Sequence, residues 1–444
     1  MVIRKVLVNS DRFQRLFKES AWIATGQVAS VIGSLVLVRV LTEHLDPARY
    51  GELALGLTIG GLINQVVTGG VGAGIGRFYS IASEKHALKC YLKASASLMG
   101  WASLGITAIG IILMVGLLGT GQTEWISLTV AVFLLSILNG FNSTLTGIQN
   151  AARQRHIVAL HSGMDAWLKI GLAVVVMLWL GSGSTAVVLG YTLSALITTA
   201  SQLYFLSRLV RSAPGKHDEV SQRGENWMEE MWKFAWPFSA WGLFTWMQQA
   251  SDRWALQFSS STDDVGTYAV LYQLGFVPIS LATGFLVSLV APILYQRVGD
   301  ATEHARVLTV YEVTQKIAFL VMAITGAGAL IVWTFHELFF QLLTNERYHA
   351  VSYLMPWLVI AAGFQACHHV LGMRISATLQ VQSLVVPQIL SALVFVVLNF
   401  VGAYYYGFRG VVYGFVFASF LYMSWMIVFS EILLRRATKC GSHG

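Results

Sequence analysis

The chain has 444 residues, 55% of them hydrophobic and only 11% charged, with 29 Lys and Arg against 22 Asp and Glu. That balance excludes an ordinary soluble globular protein, in which about a quarter of residues are charged. Cys90, Cys367 and Cys440 are too few and too scattered for a disulfide framework or a zinc site.

Taken in chain order, a charged amphipathic stretch from Arg4 to Glu19 leads into the first apolar run without a small-residue cleavage site, so no removable signal peptide is expected. Apolar runs then recur near 20–41, 51–76, 94–118, 125–148, 157–180, 184–206, 232–258, 266–294, 310–334, 350–373, 382–404 and 408–433. Each is long enough to cross a hydrocarbon core of about 30 Å as a helix. The pattern predicts an all-α polytopic membrane protein with about 12 transmembrane helices.

The net charge of +7 is explained by where the basic residues fall. Lys85, Lys89, Lys93, Arg153, Arg155, Arg208, Arg211, Arg435 and Arg436 lie in the tails and even-numbered loops, as the positive-inside rule requires of a chain with both termini in the cytoplasm. The surplus is topogenic, and no nucleic acid is expected as a partner. The lipid bilayer is.

Between the sixth and seventh runs lies the longest polar segment, "SRLVRSAPGKHDEVSQRGENWMEE". It divides the chain into an N-lobe (1–206), a cytoplasmic linker (207–231) and a C-lobe (232–444), each lobe with six helices. The halves show weak internal similarity: "GSTAVVLGYTLSALI" from Gly183 aligns with "GFRGVVYGFVFASFL" from Gly407, matching Gly190 with Gly414, and Gly51 aligns with Gly266. A parallel repeat of this kind implies a pseudo-two-fold axis along the membrane normal and a central cavity between lobes, an architecture of transporters.

Polar residues within the runs recur at helical spacing. In the seventh, Thr245, Gln248, Gln249 and Asp252 form a stripe with Arg253 at its edge; in the fifth, His161, Asp165 and Lys169 stand at four-residue steps. The fourth supplies Asn139, Asn142, Thr146 and Gln149, the tenth Gln365, His368 and His369, the second Asn64 and Gln65, and the first ends at Arg39. Such residues are unfavourable in hydrocarbon and face protein or water, which predicts one shared hydrophilic lumen. The competing reading is structural: Asp165 and Lys169 neutralise each other at i, i+4, Arg39 snorkels to the interface, and the His, Asn and Gln side chains are interhelical glue. Asp252 and Arg253 project about 100° apart, which argues against direct pairing. Arg39 shows no evident intramembrane partner, so the lumen is expected to be weakly cationic and suited to a phosphate or pyrophosphate.

Three stretches carry a family resemblance. "LVRVLTEHLDPARYGELALGLTIGGLINQVVTGGVGAGIGRFYS" (37–80), "SDRWALQFSSSTDDVGTYAV" (251–270) and "LNFVGAYYYGFRGVVYGFVFAS" (398–419) resemble bacterial polysaccharide flippases of the Wzx type, within the multidrug/oligosaccharidyl-lipid/polysaccharide exporter superfamily. The resemblance implies a MATE-like fold and translocation of a polyprenyl-pyrophosphate-linked oligosaccharide across the bacterial inner membrane by alternating access. It makes Arg39 and Arg253 candidates for holding the pyrophosphate or an acidic sugar, with Asp252 orienting Arg253, and it implies work beside a polysaccharide polymerase and a chain-length regulator. Lys169, His161, Gln248, Gln249, His368 and His369 are substrate-contact candidates from the stripes, and Asp165 is a coupling or orienting candidate. No metal, cofactor or catalytic residue is expected, and the residues leave the coupling ion, H+ or Na+, open. The rivals are an ion-coupled small-molecule exporter of the same fold and a membrane glycosyltransferase, polymerase or ligase. The latter should carry a sizeable external catalytic loop, whereas the longest expected here is about 335–349.

Overall fold

The computed structural model describes residues 2–212, 226–298, 304–377 and 381–441, among which there are helices and no strands. The helices are α1 (Val2–His44), α2 (Pro47–Ile63), α3 (Gly69–Glu84), α4 (Leu88–Gly119), α5 (Trp125–Ala151), α6 (Arg155–Leu180), α7 (Ser184–Ser212), α8 (Trp227–Ser259), α9 (Thr262–Gly275), α10 (Val277–Val298), α11 (His304–Leu343), α12 (Met355–Ala377) and α13 (Val385–Gly441).

These map onto the twelve expected spans. Nine helical stretches among the described residues are long and apolar enough to cross a membrane. One of them, α13, is two spans folded at Gly407, whose φ of 55° and ψ of −137° suit only glycine. The pair α9 and α10, bent by 42°, makes another. Helix α8, 33 residues long, completes the set; its polar stripe lowers its hydropathy. Of the expected linker, α7 and α8 occupy the ends up to Ser212 and from Trp227, and 213–225 lie outside the described residues. The expected external loop at 335–349 shrinks, because α11 continues to Leu343 and a 3-10 helix, Glu346–Leu354, follows at once.

Packing divides the chain into two compact units, residues 1–33 with 55–246 and residues 34–54 with 247–444. Helices α1, α2 and α8 therefore each contribute to both. In the first unit, Val71, Ile75, Tyr91, Leu98, Ile148 and Met231 share a core, and the Tyr91 hydroxyl donates to the Ile75 carbonyl at 2.6 Å. Small residues set the helix crossings. A Cβ on Gly26 would lie 2.9 Å from Ala159 Cα, and one on Gly74 2.6 Å from the Met231 carbonyl oxygen.

The second unit is tied by Arg374, buried to 1% exposure and stacked 4.7 Å from the centre of the Tyr311 ring. Its guanidinium donates to Gln315 Oε1 at 2.9 Å and Ser430 Oγ at 3.3 Å and pairs with Glu431 at 3.5 Å, joining α11, α12 and α13.

The aligned glycines make matching contacts in the two halves. A Cβ on Gly190 would meet Ala173 Cα at 2.5 Å; one on Gly414 would meet the Leu398 carbonyl oxygen at 2.7 Å. In each half the last span is thus pressed onto its predecessor at the same place in the repeat.

Candidate functional site

In the first unit, α6 and α7 hold the expected fifth-helix stripe. Asp165 Oδ2 accepts from Lys169 Nζ at 2.6 Å, and its Oδ1 accepts from Ser194 Oγ of α7 at 2.9 Å. Both charged side chains stay about a quarter exposed, 26% for Lys169 and 25% for Asp165. The carboxylate therefore keeps a hydrogen bond if the ammonium turns to another anion. His161 is different: its Nδ1 meets the Ile157 carbonyl at 2.8 Å and its Nε2 meets Ser201 Oγ at 3.0 Å, and the residue is buried. Asn142 donates to the Ala195 carbonyl and accepts from Thr199, while Gln202 donates to Thr146, so the α5 stripe stitches α5 to α7. Gln149 is wholly buried, and neither end of its amide has a partner.

In the second unit the expectation for Asp252 and Arg253 is overturned. Arg253 bends back along α8 so that Nη1 donates to Asp252 Oδ1 at 3.1 Å and to the Gln249 carbonyl at 2.6 Å, while its backbone N–H donates to the same Oδ1 at 2.7 Å. The 100° between adjacent side chains is bridged because Arg is long enough to fold onto its own helix. Tyr268 of α9 donates to Asp252 Oδ2 at 2.8 Å, and the guanidinium lies 4.2 Å from the centre of the Tyr272 ring. Side-chain exposure is 0% for Asp252 and 11% for Arg253. This is a packed ion pair in an aromatic cage, with each charge compensated.

The rest of the α8 stripe parts company. Gln248 is buried and donates to Ser391 Oγ, while its carbonyl accepts from Gln388 at 3.3 Å; Gln388 in turn accepts from Tyr422 at 3.0 Å. The His368 ring stacks 4.4 Å from that tyrosine and 4.2 Å from His369. His368 is buried, whereas His369 and Gln249 are exposed.

Arg39 also has partners, contrary to expectation. It pairs with Glu43 at 3.2 Å, one turn on, and donates to the Thr344 carbonyl; its side chain is 43% exposed. Glu43 reads as a loop residue in the sequence, but α1 runs on to His44. All three intramembrane cations of the sequence reading thus have a carboxylate on their own helix, and Arg39, the one expected to lack a partner, is not a surplus lumen cation.

Sequence reasoning missed the breaks in the second span of each half. In the first half a π-helical turn, Asn64–Thr68, separates α2 from α3; in the second, α9 and α10 bend between Gly275 and Val277. Interrupted helices at corresponding positions of a repeat mark binding segments in transporters, and π-turns gather at functional sites. The Gly69-Gly70 pair and Pro278 were the available signals. It also missed Arg374, which reads as a loop charge but sits inside α12. Among the described residues no group of three His, Cys, Asp or Glu side chains could hold a metal ion.

The fold is similar to solved transporters. An inward-facing multidrug resistance MATE family transporter of the MOP superfamily matches with a TM-score of 0.72 at 13% identity, covering 93% of this chain and 96% of that one. An outward-facing MATE family transporter matches at 0.63 and 13% identity, covering 95% and 96%. A MOP superfamily transporter from Pyrococcus furiosus matches at 0.62 and 13%, covering 95% and 97%. No curated relative matches. Residues 16–298, more than half of the chain, match the family described as polysaccharide biosynthesis protein. The chain belongs to that family, built on the fold of the MATE transporters.

Proposed function

We propose that the protein is a flippase that moves a polyprenyl-pyrophosphate-linked oligosaccharide from the cytoplasmic to the periplasmic leaflet of a bacterial inner membrane by alternating access, with both termini in the cytoplasm. The family match over 16–298 carries this reading. Polar side chains shelter the head group while the polyprenyl tail stays in lipid, which lowers the desolvation cost of passing sugar and phosphate through hydrocarbon. Lys169 is the cation best placed to meet an anionic head group, being part-exposed and able to leave Asp165 on Ser194. Arg39, more exposed, makes a second contact, and Arg253 acts by holding Asp252, Tyr268 and Tyr272 together. Exposed His369 and Gln249 are sugar contacts, supported from behind by buried His368 and Gln248. His161 and Asp165 position α6 against α7. A polysaccharide polymerase and a chain-length regulator take the product onward.

The test is a proteoliposome assay with a head-group-labelled polyprenyl-pyrophosphate oligosaccharide, scored by the fraction reachable by an impermeant quencher. Protein-dependent movement supports the reading; none, with intact folded protein, overturns it. The MATE neighbours favour one alternative, an ion-coupled small-molecule exporter. Dye efflux without glycolipid movement would select it.

A further inference from the structure

The first two helices are divided between the compact units. Residues 34–54, which form the end of α1, the turn and the start of α2, pack in the second unit, while residues 1–33 and α2 from Leu55 onward pack in the first. We propose that this hairpin tip is a clasp, which the second unit grips in this structure and releases in each transport cycle. The proposal rests on the flippase reading, which requires alternating access, and adds the contact that has to open.

The helices themselves supply the first argument. Helix α1 runs unbroken through Ser34 and α2 through Ala54, where the division falls. A helix shared by two bodies has to bend, or come away from one of them, when those bodies move. The contacts of the tip, all within the second unit, are of a kind that can come away.

Its polar bonds join chain ends. Arg39 donates to the Thr344 carbonyl, the Asn345 N–H donates to Thr42 Oγ1 at 3.3 Å, and the Tyr348 hydroxyl donates to the Leu45 carbonyl at 3.0 Å. Thr344 and Asn345 lie just past α11, and Leu45 just past α1. Backbone groups at helix ends lack partners in their own helix, so each side supplies what the other needs. Water can take over these bonds when the tip lifts, and it is already close: Glu43, His44 and Arg49 on the tip are exposed, as are Glu346 and Arg347 of the facing turn.

The close packing is shaped to part. Gly51 and Gly266 meet backbone to backbone, with no side chain of either lodged in the other helix. Tyr50 meets Tyr348 edge-on, with ring centres 6.1 Å apart. Arg374, by contrast, interlocks α11, α12 and α13 through a guanidinium fork. Leu41 and Leu45 are buried to 2% and 0% exposure, which keeps the clasp shut at rest. Tyr348 takes part in both kinds of contact and is wholly buried.

The test uses the full chain in proteoliposomes, with Cys90→Ser, Cys367→Ser and Cys440→Ser, and with Thr42→Cys and Asn345→Cys joined by a short reducible bis-thiosulfonate linker. Cross-linking is expected to slow protein-dependent movement of the labelled glycolipid at least tenfold, and reduction to restore it. Full-rate movement with the linker in place overturns the proposal, because only a static contact tolerates it. A second measurement needs no buried cysteine: spin labels on His44→Cys and Glu346→Cys, both exposed positions, report the distance across the clasp in bilayers. Two distances are expected, the longer gaining several-fold in Tyr348→Phe, which loses the bond to Leu45. One short distance in both proteins overturns the proposal and leaves the flippase reading standing. Absence of glycolipid movement by the wild type overturns that reading instead, and the spin-label distances still decide whether the clasp opens.

Discussion

Gly51 and Gly266 cross each other backbone to backbone within one compact unit: a Cβ on Gly51 would lie 2.0 Å from the Thr262 carbonyl oxygen, and one on Gly266 1.9 Å from the Pro47 carbonyl oxygen. The contact is reciprocal, since Pro47 stands four residues before Gly51 and Thr262 four before Gly266. Gly51→Ala and Gly266→Ala should each lower stability by about 1–3 kcal/mol, the usual cost of overpacking, visible as a fall in melting temperature and in folded yield. Gly100→Ala, where a Cβ meets nothing within 4 Å, is the control and should change neither.

The Asp252 and Arg253 pair predicts an asymmetry between single and double substitutions. Removing either charge strands the other inside the protein, so Asp252→Ala or Arg253→Ala should cost about 3–5 kcal/mol. Asp252→Asn combined with Arg253→Gln removes both charges and should recover much of the loss. Thermal unfolding of the four proteins measures it. A melting temperature unchanged in Arg253→Ala would show that the aromatic cage is stable without its cation.

Lys169 should behave in the opposite way. Its side chain is part-exposed, and Asp165 retains Ser194, so Lys169→Ala should melt within a degree or two of the wild type while glycolipid movement falls at least tenfold. Lys169→Arg keeps the charge and should restore most of the rate. Equal transport by wild type and Lys169→Ala would remove this residue from the head-group path.

His161 is the counterpart on the same helix. Its Nε2 joins α6 to α7 through Ser201, while Nδ1 holds the Ile157 carbonyl of its own helix, so His161→Ala should cost stability on the order of 1 kcal/mol for each hydrogen bond lost. Transport per folded molecule should stay near the wild-type value. A selective loss of transport at full stability would instead place the imidazole in the substrate path.

The twelve spans were legible because hydrocarbon thickness imposes a run length that composition reveals directly. The glycine alignment was legible for a related reason: Gly190 and Gly414 sit where helices press together, and only a missing side chain permits it. What hid was pairing at a distance. Tyr268 lies sixteen residues beyond Asp252, and Ser391 is 143 from Gln248; a single sequence carries no signal linking them. Other misses were local. Glu43 stands one turn from Arg39 but lies just past the apolar run 20–41, where composition alone resembles a loop. Arg374 hides in the same way, one residue past the run 350–373 although α12 extends to Ala377.

Arg374 gives the last prediction, because its neighbours differ in what they can contribute. The guanidinium fork reaches Gln315 and Ser430 from within α12 while its plane lies over Tyr311, whose hydroxyl donates to the Ser430 carbonyl at 3.0 Å. Lysine keeps the charge but offers neither the fork nor the flat face. Arg374→Lys should therefore cost at least the value of one hydrogen bond to a charged group, about 1.5–3 kcal/mol, and α11, α12 and α13 should become more open to hydrogen exchange at this end. Glu431, 48% exposed and 3.5 Å away, is a weak partner by comparison, and Glu431→Gln should shift the melting temperature little. The reverse order, with Glu431→Gln the more damaging, would mean that charge compensation rather than the hydrogen-bond fork holds these helices together.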